Sequence, residues 1–571
     1  MNLSSFDNTS LPSESPDSRL RRETTTEHTN NNATSIPDAS VVTIGSAVSI
    51  KEDEKNFSSK LNKVGTNLKS FVGFIGPGYI IAIGYLDPGN WATDLSGGSQ
   101  FGYSLLFIVF LSNLMAMLLQ ALAIKLGVVT GLDLAQACRT FLPKGLNYVL
   151  YVLCELAIIA CDLAEVIGSA IALNLLFNIP LPAGVAITAC DILLLLFIYR
   201  NNDIKAANIF EIMLMLLVGV VGFCFVVELV YSKPNSTDVL KGYLPSPEIF
   251  TNGEELYIAI GIIGATVMPH NLYLHSHLVQ VRKNREESKG FDDKQLESAE
   301  SQKSKIKSIV DNTLKLSIAD SSVALLFALF VNSAILIVSG ANFFYNSPNN
   351  QKPADLFDAY DLLTSYLGKA AATIFATALL IAGQSATITA TMAGQVVMEG
   401  FCEWKLKPWV RRLITRGFAV IPAMIIAIVR GRNGLNDLLV ASQVALSIQL
   451  PFAVIPMVWF TSQKKFMQVN TKDLEERVMA DKLIRQNKSS TQPDLNSLIS
   501  VTSSTPALTH SQTPDVSVSN EIYTSKPYDN HDKDNDILDF TNSITLTIIS
   551  VIVSIVILGL DMYLVVTTIK G

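Results

Sequence analysis

Stretches of about twenty apolar residues recur along most of this 571-residue chain, and that recurrence restricts it to one broad class. In hydrocarbon every backbone N–H and C=O must be satisfied internally, so such stretches cross a bilayer as helices. We place about eleven, with cores near 71–95, 103–126, 145–177, 182–199, 206–231, 254–281, 312–339, 367–398, 411–430, 435–461 and 540–568. The chain is 49% hydrophobic and only 16% charged, less charge than a soluble protein of this length carries. The expected fold is an all-α polytopic membrane protein.

The charges concentrate in loops and tails, so the formal net charge of −7 says little about partners. No basic domain suggests nucleic acid. The six cysteines (Cys138, Cys154, Cys161, Cys190, Cys224 and Cys402) lie in or beside the predicted helices. Neither a disulfide framework nor a CxxC metal or redox motif is expected from them. Residues 1–65 are rich in Ser, Thr, Asn and charge; they bury too little apolar surface to fold and are expected to form a disordered cytoplasmic tail. No cleavable signal peptide is visible in this polar lead, and the first membrane helix is expected to act as its own targeting signal. Residues 66–462 hold about ten spans, 463–538 read as a polar, largely disordered cytoplasmic linker, and 539–571 as the eleventh helix. The start of the linker, Asp473 to Arg485, has the composition of an amphipathic surface helix.

The Lys/Arg bias sets the orientation. With the N-terminus inside, the cytoplasmic loops carry Arg139, Lys144, Arg200, Lys205, Arg282, Lys283, Arg285, Lys405, Lys407, Arg411 and Arg412. The longer opposite loops hold only Lys233, Lys241 and Lys352. Asn235-Ser236-Thr237 is a sequon on that outer side, which makes Asn235 a glycosylation candidate.

Two spans are interrupted. The first contains Gly84-Tyr85-Leu86-Asp87-Pro88-Gly89-Asn90. Pro88 has no backbone N–H and Gly89 weakens a helix further. An unpaired Asp87 carboxylate in hydrocarbon costs several kcal/mol. The helix is expected to break here, leaving free carbonyls beside a carboxylate and an amide. Such backbone is tolerated at that depth only inside protein or along a watery cavity. A cation site at the membrane midplane meets these conditions; a proline kink capped by Asp87 needs no acid so deep. The sixth span contains Gly264-Ala265-Thr266-Val267-Met268-Pro269-His270. If the ten leading spans are two five-helix repeats, the breaks fall at equivalent positions, the sequence pointer to a transporter's binding site. No strong residue-level repeat joins the halves, so the inverted repeat rests on the span count and the breaks.

The donors at these breaks are mixed. Asp87 offers an anionic oxygen and Asn90 a neutral one. Ala265 offers a carbonyl that Pro269 cannot engage, and Met268 offers a thioether. Hard cations prefer all-oxygen shells, whereas a thioether favours softer transition-metal ions. The set suits Mn2+, Fe2+, Co2+ or Cd2+ better than Na+ or an amino acid.

Asp87-Pro88-Gly89-Asn90 together with Met268-Pro269-His270-Asn271-Leu272-Tyr273-Leu274-His275-Ser276 resembles the Nramp family of divalent metal transporters, also called the DMT or MntH family. The similarity runs from about Phe71 to Phe460 and takes in Lys125-Leu126-Gly127, Thr130-Gly131, Asp162-Leu163-Ala164-Glu165, Arg411-Arg412 and Ser442-Gln443-Val444. The resemblance implies a LeuT-like fold, with two inverted five-helix repeats, an eleventh helix, broken helices 1 and 6, and metal uptake coupled to protons. It places the metal ligands on Asp87, Asn90, Met268 and the carbonyl of Ala265, with Gln443 joining in some conformations. Gly84 stands where the family often has Ala, and its implied role is a backbone carbonyl. Cys161 stands where the family often has Thr or Ala.

The third span carries Glu155, Asp162 and Glu165, whose offsets put them on one helical face. Carboxylates in a membrane helix need basic partners or water, and Arg411, Arg412 and Arg416 at the ninth span are the candidates. We expect a proton route from the metal site through Asp87 and His270 to Asp162 and Glu165, set against a purely structural ion-pair network. His275 and His277 do not share one face with His270 and are expected to be structural or vestibule residues.

The leading expectation is therefore a secondary transporter, not an enzyme, importing divalent transition-metal ions with protons into the cytosol. No Walker motif is visible for ATP, and no cofactor is expected beyond the transported Mn2+/Fe2+ and H+. The alternative is an Nramp-like membrane metal sensor, which needs a large cytoplasmic output domain that the polar tails do not supply. A sodium-coupled amino-acid transporter fits an Asp and Met in the site poorly, and the family's Mg2+ or Al3+ carriers lack the methionine. Expected partners are the bilayer, metal ions and protons, with trafficking or ubiquitin machinery and phosphorylation on the Ser/Thr-rich tails. The membrane is expected to be the plasma membrane or an acidic endosomal or vacuolar one.

Overall fold

The structure, a computed structural model, describes Tyr85 and residues 87–189, 219–220, 222–290, 299–346, 354–404, 408–470 and 537–570. The N-terminal tail, Gly84, Cys190, much of the fourth and fifth spans and residues 471–536 of the linker lie outside them.

The described helices of eight or more residues are α1 (Pro88–Phe101), α2 (Leu106–Thr130), α3 (Leu134–Phe141), α4 (Lys144–Phe177), α5 (Leu181–Thr188), α6 (Gly222–Ser232), α7 (Gly253–Thr266), α8 (Pro269–Gly290), α9 (Ala299–Ser339), α10 (Leu356–Leu367), α11 (Lys369–Cys402), α12 (Pro408–Val429), α13 (Gly431–Ser462) and α14 (Ile544–Lys570). Eight segments among the described residues are long and apolar enough to cross a membrane. They coincide with the second, third and sixth to eleventh expected spans, and α7 and α8 together make the sixth. The protein is an all-α, multi-pass membrane protein.

The side chains of α12 show which solvent surrounds it. Leu413, Ile414, Phe418, Ile421 and Ile425 point outward and are each more than half exposed, while Arg411, Arg412 and Arg416 are buried. In water this distribution would be inverted, because burying arginine costs far more than burying leucine. Lipid outside and an acidic partner inside make it stable. The partner is α4, along which α11, α12 and α13 also pack.

Local chemistry sets the corners. Gly131 ends α2 in the left-handed region (φ 69°), where a Cβ is disfavoured. Asp133 and Gln136 then form a capping box that starts α3. Two short strands, β1 (Gln468–Asn470) and β2 (Ile537–Asp539), pair antiparallel with Val469 opposite Leu538, tying the end of α13 to the start of α14. Asp539 beside them has a carboxyl held below its ordinary range, first by hydrogen bonds from Thr541 and also by Lys464. Asn542 binds both the Thr461 hydroxyl at 3.0 Å and the Lys125 ammonium at 2.7 Å. The end of α2, the end of α13 and the start of α14 are thereby joined by polar contacts.

Candidate metal centre

Pro88 opens α1 and Pro269 opens α8. In α1, Asp87 is the N-cap with extended backbone (φ −76°, ψ 165°) and Pro88 follows in the first turn. Proline is tolerated there because that N–H has no helical partner anyway. In the sixth span α7 ends at Thr266, Val267 leaves helical geometry (φ −106°, ψ 76°), and α8 starts at Pro269.

The freed groups meet one another. Asp87 Oδ1 accepts from the Asn90 backbone N–H at 3.0 Å and from Asn90 Nδ2 at 2.7 Å. Asn90 Nδ2 also donates to the Ala265 carbonyl at 2.9 Å, across 175 residues of sequence. In an unbroken helix that carbonyl would accept from residue 269, but Pro269 has no N–H to give. Met268 occupies the gap between α7 and α8, and its Sδ lies 3.5 Å from Asn271 Nδ2. Asp87, Asn90, Ala265, Met268 and Gln443 are all at most 2% exposed, so the cluster is desolvated.

Gln443 reaches the cluster from α13. A Cβ placed on Gly89 would overlap the Gln443 side-chain amide, so that amide lies against the first turn of α1. A Cβ on Gly264 would likewise overlap the Gln443 carbonyl, which shows how closely α13 and the last turn of α7 approach. Asp87 Oδ2 and Gln443 Oε1 are buried with no hydrogen-bond partner among the described residues. Buried acceptors left unpaired are costly. A carboxylate oxygen, an amide oxygen, a backbone carbonyl and a thioether together form an acceptor set suited to a cation. Among the described residues no group of three or more His, Cys, Asp or Glu side chains is placed to hold a metal, so the only anionic donor in this set is Asp87.

Away from this cluster, the carboxylates of α4 face the arginines of α12. Arg411 donates to Glu155 Oε2 at 2.5 Å. Arg412 binds Asp162 through one nitrogen and Glu165 Oε2 through the other, the second at 3.1 Å. Arg416 lies 3.5 Å from the same Glu165 oxygen, and Thr387 of α11 donates to it at 2.7 Å. Asp162, Glu165, Arg412 and Arg416 are at most 1% exposed. Burial of this kind persists only when every charge is matched in place. Cys161 contributes a weak contact, with Sγ 3.6 Å from Glu165 Oε1.

The three histidines of α8 part company. His270, in its first turn, is buried, and its Nδ1 has no hydrogen-bond partner among the described residues. His275 Nδ1 lies 2.6 Å from Gln120 Oε1, and Gln120 in turn donates to the Tyr85 hydroxyl at 2.6 Å. His277 Nδ1 lies 3.2 Å from Asp133 Oδ2 at the start of α3. Asn235 is exposed and caps the short helix Ser236–Gly242 through its side-chain oxygen.

The profile of the family described as natural resistance-associated macrophage protein-like, Nramp, matches residues 78–480. The chain belongs to the Nramp family. Curated Nramp relatives include the divalent metal cation transporter MntH of Nostoc sp., 52% identical over 400 residues, 70% of this chain and 85% of that protein. Another is the MntH of Bradyrhizobium diazoefficiens, 49% identical over 415 residues, 72% of this chain and 87% of that protein. Among solved structures, the manganese transporter of Eremococcus coleocola superposes with a TM-score of 0.62 at 32% identity, covering 86% of each chain.

Several residues of this Nramp site were not marked from sequence. Asn332 of α9 and Thr266 place Nδ2 and Oγ1 at 3.4 and 3.5 Å from Asn90 Oδ1. Thr387 holds Glu165, and Gln120 holds His275. Each is a polar side chain in an otherwise apolar span, the one signal that could have flagged it.

Proposed function

We propose that this Nramp protein is a proton-coupled importer of divalent transition-metal ions, Mn2+ and Fe2+ and also Co2+ and Cd2+, into the cytosol. Residues 66–462 form the transport core, completed by the eleventh helix in 539–571, and the polar tails carry regulation. Asp87, Asn90, Met268 and the carbonyl of Ala265 bind the ion; Gln443 joins them, and Gly84, outside the described residues, supplies a further carbonyl. The observation that supports the reading is the meeting of Asp87, Asn90 and the Ala265 carbonyl in one desolvated cluster, with the buried Met268 following in the break between α7 and α8. Half-helices hinged at such breaks allow one bundle to rock against the other and expose the site to each side in turn. A sensor has no need of an ion site seated between two hinges.

Protons take a parallel path. Asp87 and His270 adjoin the ion, and Asp162, Glu165 and Glu155 step along α4 beside Arg412, Arg416 and Arg411. Movement of α12 relative to α4 would draw the arginines away from the carboxylates and favour their taking up a proton. The driving force calls for an acidic outer or luminal side, as at the plasma membrane or an acidic endosomal or vacuolar membrane. The exposed Asn235 is the glycosylation site on that side.

Glu165→Gln tests the route. Glutamine keeps an oxygen for Thr387 and the arginines while removing the charge. We expect the variant to retain part of its metal uptake, to lose most of the acid stimulation of that uptake, and to carry less proton flux per ion. Proton flux equal to the parent's, measured with a pH-sensitive dye inside proteoliposomes, would remove Glu165 from the path.

A further inference from the structure

The last helix carries one acidic residue, and it is buried. α14 is mostly turned to lipid: Ile548, Ile552, Ile555 and Met562 are each more than half exposed. Asp561, one position from Met562, is 4% exposed. An acid within a membrane helix is expensive and turns toward a partner or a function. Here the partner is on α13, where the Ser447 hydroxyl donates to Asp561 Oδ1 at 2.9 Å. Asp561 Oδ2 has no partner among the described residues.

Ser447 stands one helical turn after Gln443. The same turn of α13 is the one pressed against Gly264: a Cβ there would overlap the Gln443 carbonyl and lie 2.6 Å from the Ser447 nitrogen. Leu564 and Leu560 of α14 pack with Val444 of α13, the residue after Gln443, and with Leu256 and Ile260 of α7. The turn carrying Gln443 is therefore clamped by α7 and α14 together. The α14 side of the clamp has apolar contact, which tolerates sliding, and one hydrogen bond, which sets a register.

We propose that Asp561 is a positioning residue of the metal site: through Ser447 it fixes the rotation and height of the α13 turn that aims Gln443 at the first turn of α1. The inference rests on Gln443 facing the transported ion, as read above. It gives the lipid-facing last helix a part in ion affinity without any contact with the ion.

The test is initial-rate Mn2+ uptake in proteoliposomes with the full chain, comparing Asp561→Ala, Asp561→Asn, Ser447→Ala, Gln443→Ala and the Asp561→Ala/Gln443→Ala pair, with rates normalised to reconstituted protein. Asp561→Ala and Ser447→Ala should each raise KM by roughly three- to tenfold, the scale of one lost buried hydrogen bond, with maximal rate little changed. Asp561→Asn, which still accepts from Ser447, should restore KM to near the parent's. In the double variant Asp561→Ala should add nothing to the effect of Gln443→Ala, since residues acting through one another are not additive. If Gln443→Ala leaves KM unchanged, the site reading itself fails. If Gln443→Ala raises KM but Ser447→Ala does not, or if the effects multiply in the double variant, the positioning role is wrong. Should Asp561→Ala fail to insert, the milder Ser447→Ala decides alone.

Discussion

Asp87→Asn should abolish metal uptake while leaving the protein folded. Asparagine caps a helix as well as aspartate does, and its oxygen can still accept from the Asn90 backbone N–H, the 3.0 Å contact that starts α1. Shape and local hydrogen bonding survive. What goes is the only negative charge in the donor set, in a cluster at most 2% exposed where no water screens the ion. Outer-shell groups around a metal are worth about 10–100-fold in affinity, so losing the one anionic ligand should reduce uptake by more than roughly a hundredfold. Membrane abundance and thermal stability of the purified variant should match the parent within error. Uptake within a few-fold of the parent would mean that Asp87 is only a cap.

Removing Arg412 acts on stability first. The side chain bridges Asp162 and Glu165, with all three groups at most 1% exposed. Arg412→Met leaves two carboxylates in hydrocarbon with Arg416 alone to face them, and breaking a buried pair in this way costs about 3–5 kcal/mol. Less protein should reach the membrane, and what does should unfold several degrees lower by scanning fluorimetry. Arg412→Lys keeps the charge but not the two-pronged donor and should fall between. The triple variant Arg412→Met, Asp162→Asn, Glu165→Gln should regain most of the lost stability, because replacing every member of an ion-pair group is far cheaper than orphaning one. It should not regain acid-stimulated uptake. If the triple variant transports with a normal pH response, the network is scaffolding and protons move elsewhere.

Much of this was legible in the sequence, for physical reasons that differ from place to place. The spans announce themselves because lipid admits only long apolar helices, and α2, α4, α9 and α11 to α14 lie where hydropathy puts them. The breaks were legible because proline cannot donate, which also exposes the carbonyl of Ala265. The facing of α4 and α12 could be guessed because buried carboxylates and arginines have nowhere else to go. What stayed hidden depends on packing between distant segments. Nothing local says that Asn332 reaches Asn90, that Thr387 reaches Glu165, or that Gly89 and Gly264 make room for α13. The same holds at the boundaries: the seventh span runs on from Lys303 to Tyr345, ending in a π-helical turn at Gly340–Tyr345 that no hydropathy signal marks. The roles of His275 and His277 likewise turn on Gln120 and Asp133, more than a hundred residues away.

The central claim is that Met268 and Asp87 together select a transition-metal ion and that protons accompany it. Its most direct test is Cd2+ uptake into proteoliposomes at about pH 5.5 and about pH 7.5, values chosen to straddle histidine's range, with Mn2+ or Ca2+ as competitor and Met268→Ala alongside. Faster uptake is expected at the acid pH, blocked by Mn2+ but not by Ca2+, with Ca2+ becoming an effective competitor once the thioether is gone. Binding of Cd2+ without uptake at either pH, or Ca2+ competition unaltered in Met268→Ala, would contradict the claim.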